Sequence, residues 1–232
     1  LACSNIPTEV TVSGSGAYCN NATLTASGGS GGTIYWQGNT NGGESTATPS
    51  SSQIVSSSGT YYFRAYNNCG WGVQGSATVI INTIPNPPDA NSNSPICEGD
   101  PLNLTALGQP GAIYSWIGPN ALSSFQQNPT ISYTTTLNSG LYYVTQTIAG
   151  CTSNETTITT SIYPRPSTPI ITQNGNTLES GSLSLNQWYL NGIAIPGAIN
   201  QNYNPISSGN YSVIVNGIGG CVSDASNVIN FV

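Results

Sequence analysis

The sequence predicts an all-β chain of three tandem β-sandwiches in a row. Three observations carry this expectation: short runs rich in β-branched and aromatic residues, a tryptophan and a Ser-Gly-x-Tyr motif that recur together three times, and proline-rich joints between the recurrences. Runs such as "TYYFRAY", "ATVIIN", "LYYVTQTI" and "TTITTSI" are bounded by Gly, Pro, Asn and Ser. That is how strands and turns alternate, and no stretch shows apolar residues at helical spacing over a useful length.

The tryptophan landmark stands at Trp36, Trp116 and Trp188, and the tyrosine motif at Ser58–Tyr61, Ser139–Tyr142 and Ser208–Tyr211. Tryptophan and motif glycine are 23, 24 and 21 residues apart, so the three units share one plan. "IPNPPDA" (Ile84–Ala90) and "YPRPSTP" (Tyr163–Pro169) separate them. Short proline-rich segments act as semi-rigid spacers, which places the units at 1–84, 85–165 and 166–232 in a stiff row.

Within each unit, a core Trp on a third strand and a Tyr opening a sixth are the marks of an immunoglobulin-like sandwich with a tyrosine corner. That plan places one cysteine a dozen or so residues before the Trp and another two residues after the Tyr. Here those places hold Leu24 and Phe63, Leu104 and Val144, and Leu178 and Val213. Apolar packing is therefore expected to replace the inter-sheet disulfide. The three tryptophans are expected in the cores, because a small sandwich gains most from burying a large aromatic face.

Composition narrows function by exclusion. Only 4% of residues are charged, eight carboxylates against Arg64 and Arg165, with no Lys, His or Met and a net charge of -6. Nucleic-acid binding needs basic clusters, and docking on anionic membrane needs the same, so neither is expected. No apolar run approaches the roughly 20 residues of a membrane span, and no signal peptide opens the sequence, which reads as a mature chain or a fragment.

Without His there is no Ser-His-Asp triad, and without Lys there is no Schiff base, serine-lysine dyad or Lys-Asn isopeptide crosslink. The nearest carboxylate pair, Glu98 and Asp100 in "CEGDP", reads as a tight turn. A calcium site there lacks the six to eight oxygens that ion takes. "GGSGG" at Gly28–Gly32 has no following helix or Lys and is not a phosphate loop. No catalytic residue, metal or cofactor is expected. Sequons at Asn21, Asn103, Asn154 and Asn210 are read as chance matches in an Asn- and Thr-rich chain. Trp71 stands off the repeat plan and, with Tyr66, is a candidate stacking platform for surface glycans; the alternative is packing over a disulfide or a joint.

"YCNNATLTASGGSGGTIYWQG" with "SSSGTYYFRAYNNCGWGVQGSATVIIN", "ICEGDPLNLTA" with "SGLYYVTQTIAGC", and "NQWYLNGIAIPGAINQNY" with "SGNYSVIVNGIGGC" resemble the immunoglobulin-like repeats of large Bacteroidota surface and secreted proteins. The likeness covers nearly the whole chain. It implies an exported, repetitive, non-catalytic module of the kind carried by type 9 secretion cargo, adhesins and multidomain enzymes, with no particular ligand. No C-terminal sorting domain of that family is recognisable here.

Six cysteines without a CxxC pair or histidine point to disulfides in an oxidising compartment. Pairing within units, Cys19 with Cys69 and Cys97 with Cys151, conflicts with the sandwich. Cys19 and Cys97 lie five and seven residues before Leu24 and Leu104, whereas Cys69, Cys151 and Cys221 lie six, seven and eight after Phe63, Val144 and Val213. These two strands run the same way, so such cysteines stand at opposite poles, roughly 20 Å apart at about 3.3 Å per residue. A disulfide needs Cα atoms within about 7 Å. The expected scheme is Cys19 with Cys151 and Cys97 with Cys221 across the joints, and Cys3 with Cys69 at one pole. Rivals are acylation of Cys3, reading "LAC" as a lipoprotein site, and a Cys3 to Cys221 bond between subunits.

The expected function is a non-catalytic structural or adhesive protein, extracellular or on the cell surface. Its expected partners are further copies or neighbouring immunoglobulin-like repeats, in a stalk or an extracellular filament. The alternative is a carbohydrate-binding or spacer module of a larger secreted enzyme.

Overall fold

The computed structural model describes residues 5–232. Among the described residues almost every regular element is a strand, and the two helices are single 3-10 turns, Thr136–Asn138 and Ile218–Gly220. Three tandem immunoglobulin-like β-sandwiches make up the chain. By internal contact it divides into two compact units: residues 1–87 with 109–113 and 146–154, and the remainder, 88–108, 114–145 and 155–232. The division passes through the strand Gly140–Ile148, whose outer end and following hairpin count with the first unit.

In the first unit one sheet has Ala22–Gly28 between Val10–Ser13 and Ser52–Val55. The other runs Gly16–Cys19, Gly75–Asn82, Gly59–Asn67, Thr33–Trp36. Alternation explains the pairing. Ala22, Leu24 and Ala26 are buried from the first sheet, and Tyr61, Phe63 and Ala65 from the second, while their neighbours face outward. Leu24 and Phe63 are fully buried in one core cluster. Burying two such side chains contributes about 1.5–3 kcal/mol each, comparable to the roughly 2–4 kcal/mol of the disulfide they stand in for.

The second unit holds the sandwich around Leu102, Leu104, Trp116, Tyr142 and Val144, and the one around Ile171, Leu178, Trp188, Tyr211 and Val213, all buried. Leu102–Leu107 alternates buried and exposed along its whole length between Thr130–Ile131 and Asp89–Ser92. Asn186–Leu190 lies between Ile193–Ala194 and Gly209–Val215.

Each sandwich has its tyrosine corner. The hydroxyls of Tyr61, Tyr142 and Tyr211 donate to the carbonyls of Ser57, Asn138 and Ser207, each four residues upstream, at 2.7, 2.8 and 2.8 Å. The tryptophans are less uniform. Trp116 and Trp188 are fully buried and donate through Nε1 to Gln127 O and Asn200 O. Trp36 is only half-buried, stacked on Tyr61 and edge-on to Phe63. All three thus pack on the cores as expected, Trp36 from a half-buried position against the first cluster.

A short strand before Ala22–Gly28 departs from simple hairpin order. Gly16–Cys19 pairs parallel with Val79–Asn82, and Ile96–Cys97 pairs parallel with Ile162–Tyr163. Parallel pairing with the last strand sets each cysteine level with the residues where the chain leaves the sandwich, Asn82 and Tyr163. The third sandwich has no such strand among the described residues, and Ile229–Phe231 is paired on one side only, by Gly209–Val215.

Candidate functional site

Strand alternation builds an aromatic cluster on the outer face of the first sandwich. Because Tyr61, Phe63 and Ala65 enter the core, Tyr62, Arg64 and Tyr66 face away from it. Tyr35 is registered opposite Arg64, Thr33 opposite Tyr66, and Trp71 opposite Tyr66 across a two-residue turn. The Tyr66 and Trp71 ring centroids are 4.8 Å apart, and Tyr35 meets Trp71 at 5.8 Å in an edge-on arrangement. The Arg64 guanidinium lies 5.6 Å from the centre of the Trp71 ring.

That guanidinium also has two polar partners. Its Nε donates to Gly72 O at 2.7 Å, and its Nη1 approaches Glu44 Oε1 at 3.5 Å. Beside the cluster opens a shallow hollow of about 540 Å³ lined by Gly31, Gly32, Thr33, Tyr35, Tyr66, Asn67 and Asn68. Trp71 is not one of its walls. Of the pair singled out in the sequence, Tyr66 lines the hollow and Trp71 touches its two rings without lining it, and Tyr35, which sequence reasoning did not select, supplies the second ring. The signal that identifies Tyr35 is register: it is one residue before the repeat tryptophan and therefore faces outward.

The glycine-rich stretch Gly28–Gly32 forms the turn at the edge of this hollow. Gly28, Gly29 and Gly31 have positive φ, and a Cβ at Gly32 would stand 2.5 Å from Pro7 and 2.8 Å from the Tyr66 carbonyl. The absence of a side chain at Gly32 thus lets this turn pass close to Pro7 and the Tyr66 carbonyl.

The cysteines are placed by turns. Cys151 follows the two-residue turn Ala149–Gly150, both of positive φ, and bonds Cys19 with Cα atoms 5.7 Å apart. Cys221 instead caps the 3-10 turn Ile218–Gly220, in the loop between the bridged Asn216 and Val222, and bonds Cys97 with Cα atoms 5.5 Å apart. Cys69 sits inside its turn, between the paired Asn67 and Gly70. Cys3 lies outside the described residues, so its pairing with Cys69 stays an expectation; no described cysteine is free.

Around the Cys19–Cys151 bond, Asn82 Nδ2 donates to Ala149 O at 3.0 Å. The buried Gln146 donates to Asn86 O at 2.6 Å and accepts from Gln109 N at 3.0 Å. Near Cys97–Cys221, Glu98 and Asp100 flank a turn at Gly99. Arg165 donates to Glu98 O at 2.8 Å and to Asp100 Oδ1 at 2.6 Å. Its Nη1 reaches Val222 O at 3.5 Å. Asp100 is thus committed to an ion pair, and the Glu98–Asp100 pair has no arrangement for acid–base work. Sequence reasoning counted Arg165 only as a charge, and it missed Gln146.

Two corner tyrosines hold their protons tightly. Burial raises the Tyr142 hydroxyl above its ordinary value of 10.0, against a hydrogen bond with Thr160 that lowers it. Burial, then the neighbouring Tyr203, raises Tyr211 against its bond to the Ser207 backbone. Both therefore stay neutral donors at physiological pH.

No family model and no curated protein matches the chain. Solved structures that resemble it include murine CEACAM1b, 16% identical over 66% of this chain and 99% of that one, with a TM-score of 0.41. Titin domains A168–A170 are 15% identical over 95% and 96%, with a TM-score of 0.32. The mouse nectin-like molecule 4 ectodomain, Ig1–Ig3, is 12% identical over 97% and 95%, with a TM-score of 0.39.

Proposed function

We propose that the chain is a non-catalytic extracellular structural or adhesive element, its three repeats at 1–84, 85–165 and 166–232 held as a stiff rod on the cell surface or within a filament. The observation that carries this reading is the pair of disulfides bridging 132 and 124 positions of sequence, each joining a cysteine of one repeat to a turn of the next. A covalent bond beside each proline-rich joint removes the freedom a short linker leaves, and such bonds persist in oxidising surroundings. The resemblance to exported Bacteroidota repeats supports secretion by the type 9 route.

Self-association is favoured by two features. The surface is covered by Ser, Thr, Asn, Gln and Gly, with few of the charges that keep strand edges from pairing. The last strand of the third sandwich, Ile229–Phe231, is open along one edge.

Electron microscopy of native secreted material tests the reading. Fibres or surface stalks whose repeat matches three sandwiches are expected. Isolated particles carrying a catalytic domain would overturn it in favour of an enzyme spacer.

A further inference from the structure

The three repeats serve as controls for one another, and the comparison isolates one face. Counting from Phe63, Val144 and Val213, the places of Tyr66 and Trp71 are held by Thr147 and Thr152 in the second repeat and by Asn216 and Val222 in the third. The place of Tyr35, one residue before the tryptophan, is held by Ser115 and Gln187. The fold therefore makes no demand for rings there. In the second repeat a Thr147–Thr152 hydroxyl contact of 2.9 Å closes the same position. Only the first repeat builds three aromatic residues onto this outer face and opens a hollow beside two of them.

The chemistry of the hollow specifies its occupant. Its walls combine two tyrosine rings with the exposed Thr33 and Asn68 and the glycine backbone. Rings accept the flat C–H face of a sugar, and hydroxyl and amide groups accept its rim. The nearby cation Arg64, bonded to Gly72 O, paired with Glu44 and set over the Trp71 ring, does not line the hollow, whose walls are all uncharged. The hollow is open to the face rather than enclosed, which suits an extended chain crossing it better than a small molecule held inside.

We infer that the Tyr35–Tyr66 hollow of the first repeat is a binding site for a neutral polysaccharide, with Trp71 and Arg64 as the brace that holds the two rings in place. This rests on the adhesive half of the function proposed above and gives it a ligand class.

Affinity electrophoresis of the full chain tests it, in native gels containing galactomannan, xyloglucan, mixed-linkage β-glucan or, as a charged control, alginate. Retardation by at least one neutral polymer and not by alginate is expected. Tyr35→Ser with Tyr66→Thr, the second repeat's residues at those places, should weaken retardation about ten-fold or more, while Tyr66→Phe, which keeps the ring, stays within about two-fold of the parent. Circular dichroism and the melting curve report whether each variant remains folded. No retardation by any neutral polymer overturns the inference, as does equal retardation of the folded double variant. A double variant that changes sedimentation without changing retardation assigns the face to protein contact instead. Fibres seen by microscopy for both parent and double variant separate this site from the assembly reading, which fails or stands on its own.

Discussion

The two joints between repeats are built from different chemistry around the same covalent device. At Cys19–Cys151 the supporting groups are neutral and include a buried amide: Gln146 holds the linker carbonyl of Asn86 and the backbone of Gln109. At Cys97–Cys221 the support is ionic and half open to water, with Arg165 spanning Glu98 O, Asp100 and Val222 O. Gln146 occupies a core-facing place, two residues after Val144, where the other repeats have the buried Ala65 and Val215. A repeat can thus convert one core position into a linker clamp, or leave the core intact and recruit a charge from the linker. The first solution is sensitive to packing and the second to solvent.

The disulfides should show the largest effects. Replacing either pair by serine, Cys19→Ser with Cys151→Ser or Cys97→Ser with Cys221→Ser, should cost about 2–4 kcal/mol in guanidinium unfolding. A joint that loses nothing would mean that its non-covalent clamp suffices, and the comparison would break there. Next comes Gln146→Leu, which fills similar space but strands the Gln109 amide and the Asn86 carbonyl, at about 1–3 kcal/mol. Arg165→Met should cost less, about 0.5–1 kcal/mol, since its ion pair is nearly half exposed and screened. Molar salt should erase part of the Arg165 effect and none of the Gln146 effect; equal salt dependence would refute the neutral-versus-ionic distinction.

The smallest effect is expected from pH. Between about pH 5 and 9 the melting temperature should stay flat, because His and Lys are absent. Tyr142 and Tyr211 have raised values, so their contribution is complete below pH 10 and is lost as pH rises above it. Alkaline weakening should therefore begin in the second and third sandwiches, and Tyr142→Phe should reduce its slope. A steep change between pH 5 and 9 would contradict this.

What the sequence made legible follows from range of interaction. Leu24 with Phe63, and the Ser-Gly-x-Tyr corners, are local patterns repeated three times, so the sandwich can be read from them. The poles of the cysteines follow from counting along strands, since Cys151 and Cys221 lie just beyond the turns that end Gly140–Ile148 and Gly209–Val215. The parallel strands Gly16–Cys19 and Ile96–Cys97 were not legible, being four and two residues long and paired with residues more than 60 positions away. Arg165 was opaque for the same reason: its acceptors, the Asp100 carboxylate and the backbone carbonyls of Glu98 and Val222, are 65, 67 and 57 residues distant, and two of the three carry no side-chain signature. At the aromatic face, Trp71 stood out as an extra tryptophan, whereas Tyr35 becomes visible only once the register with Arg64 is known.

The covalent loops from Cys19 to Cys151 and from Cys97 to Cys221 overlap; neither encloses the other and they are not laid end to end. A protease that cuts between Cys19 and Cys97 leaves its two fragments tied by the first bond, and one that cuts between Cys151 and Cys221 leaves them tied by the second. A cut between Cys97 and Cys151 leaves them tied by both. Bonds closed within each repeat, 19 to 69 and 97 to 151, would have left the first linker and everything after Cys151 severable at a single stroke. This overlap means that no single nick between Cys19 and Cys221 can release a fragment until a reductant or a second cleavage follows.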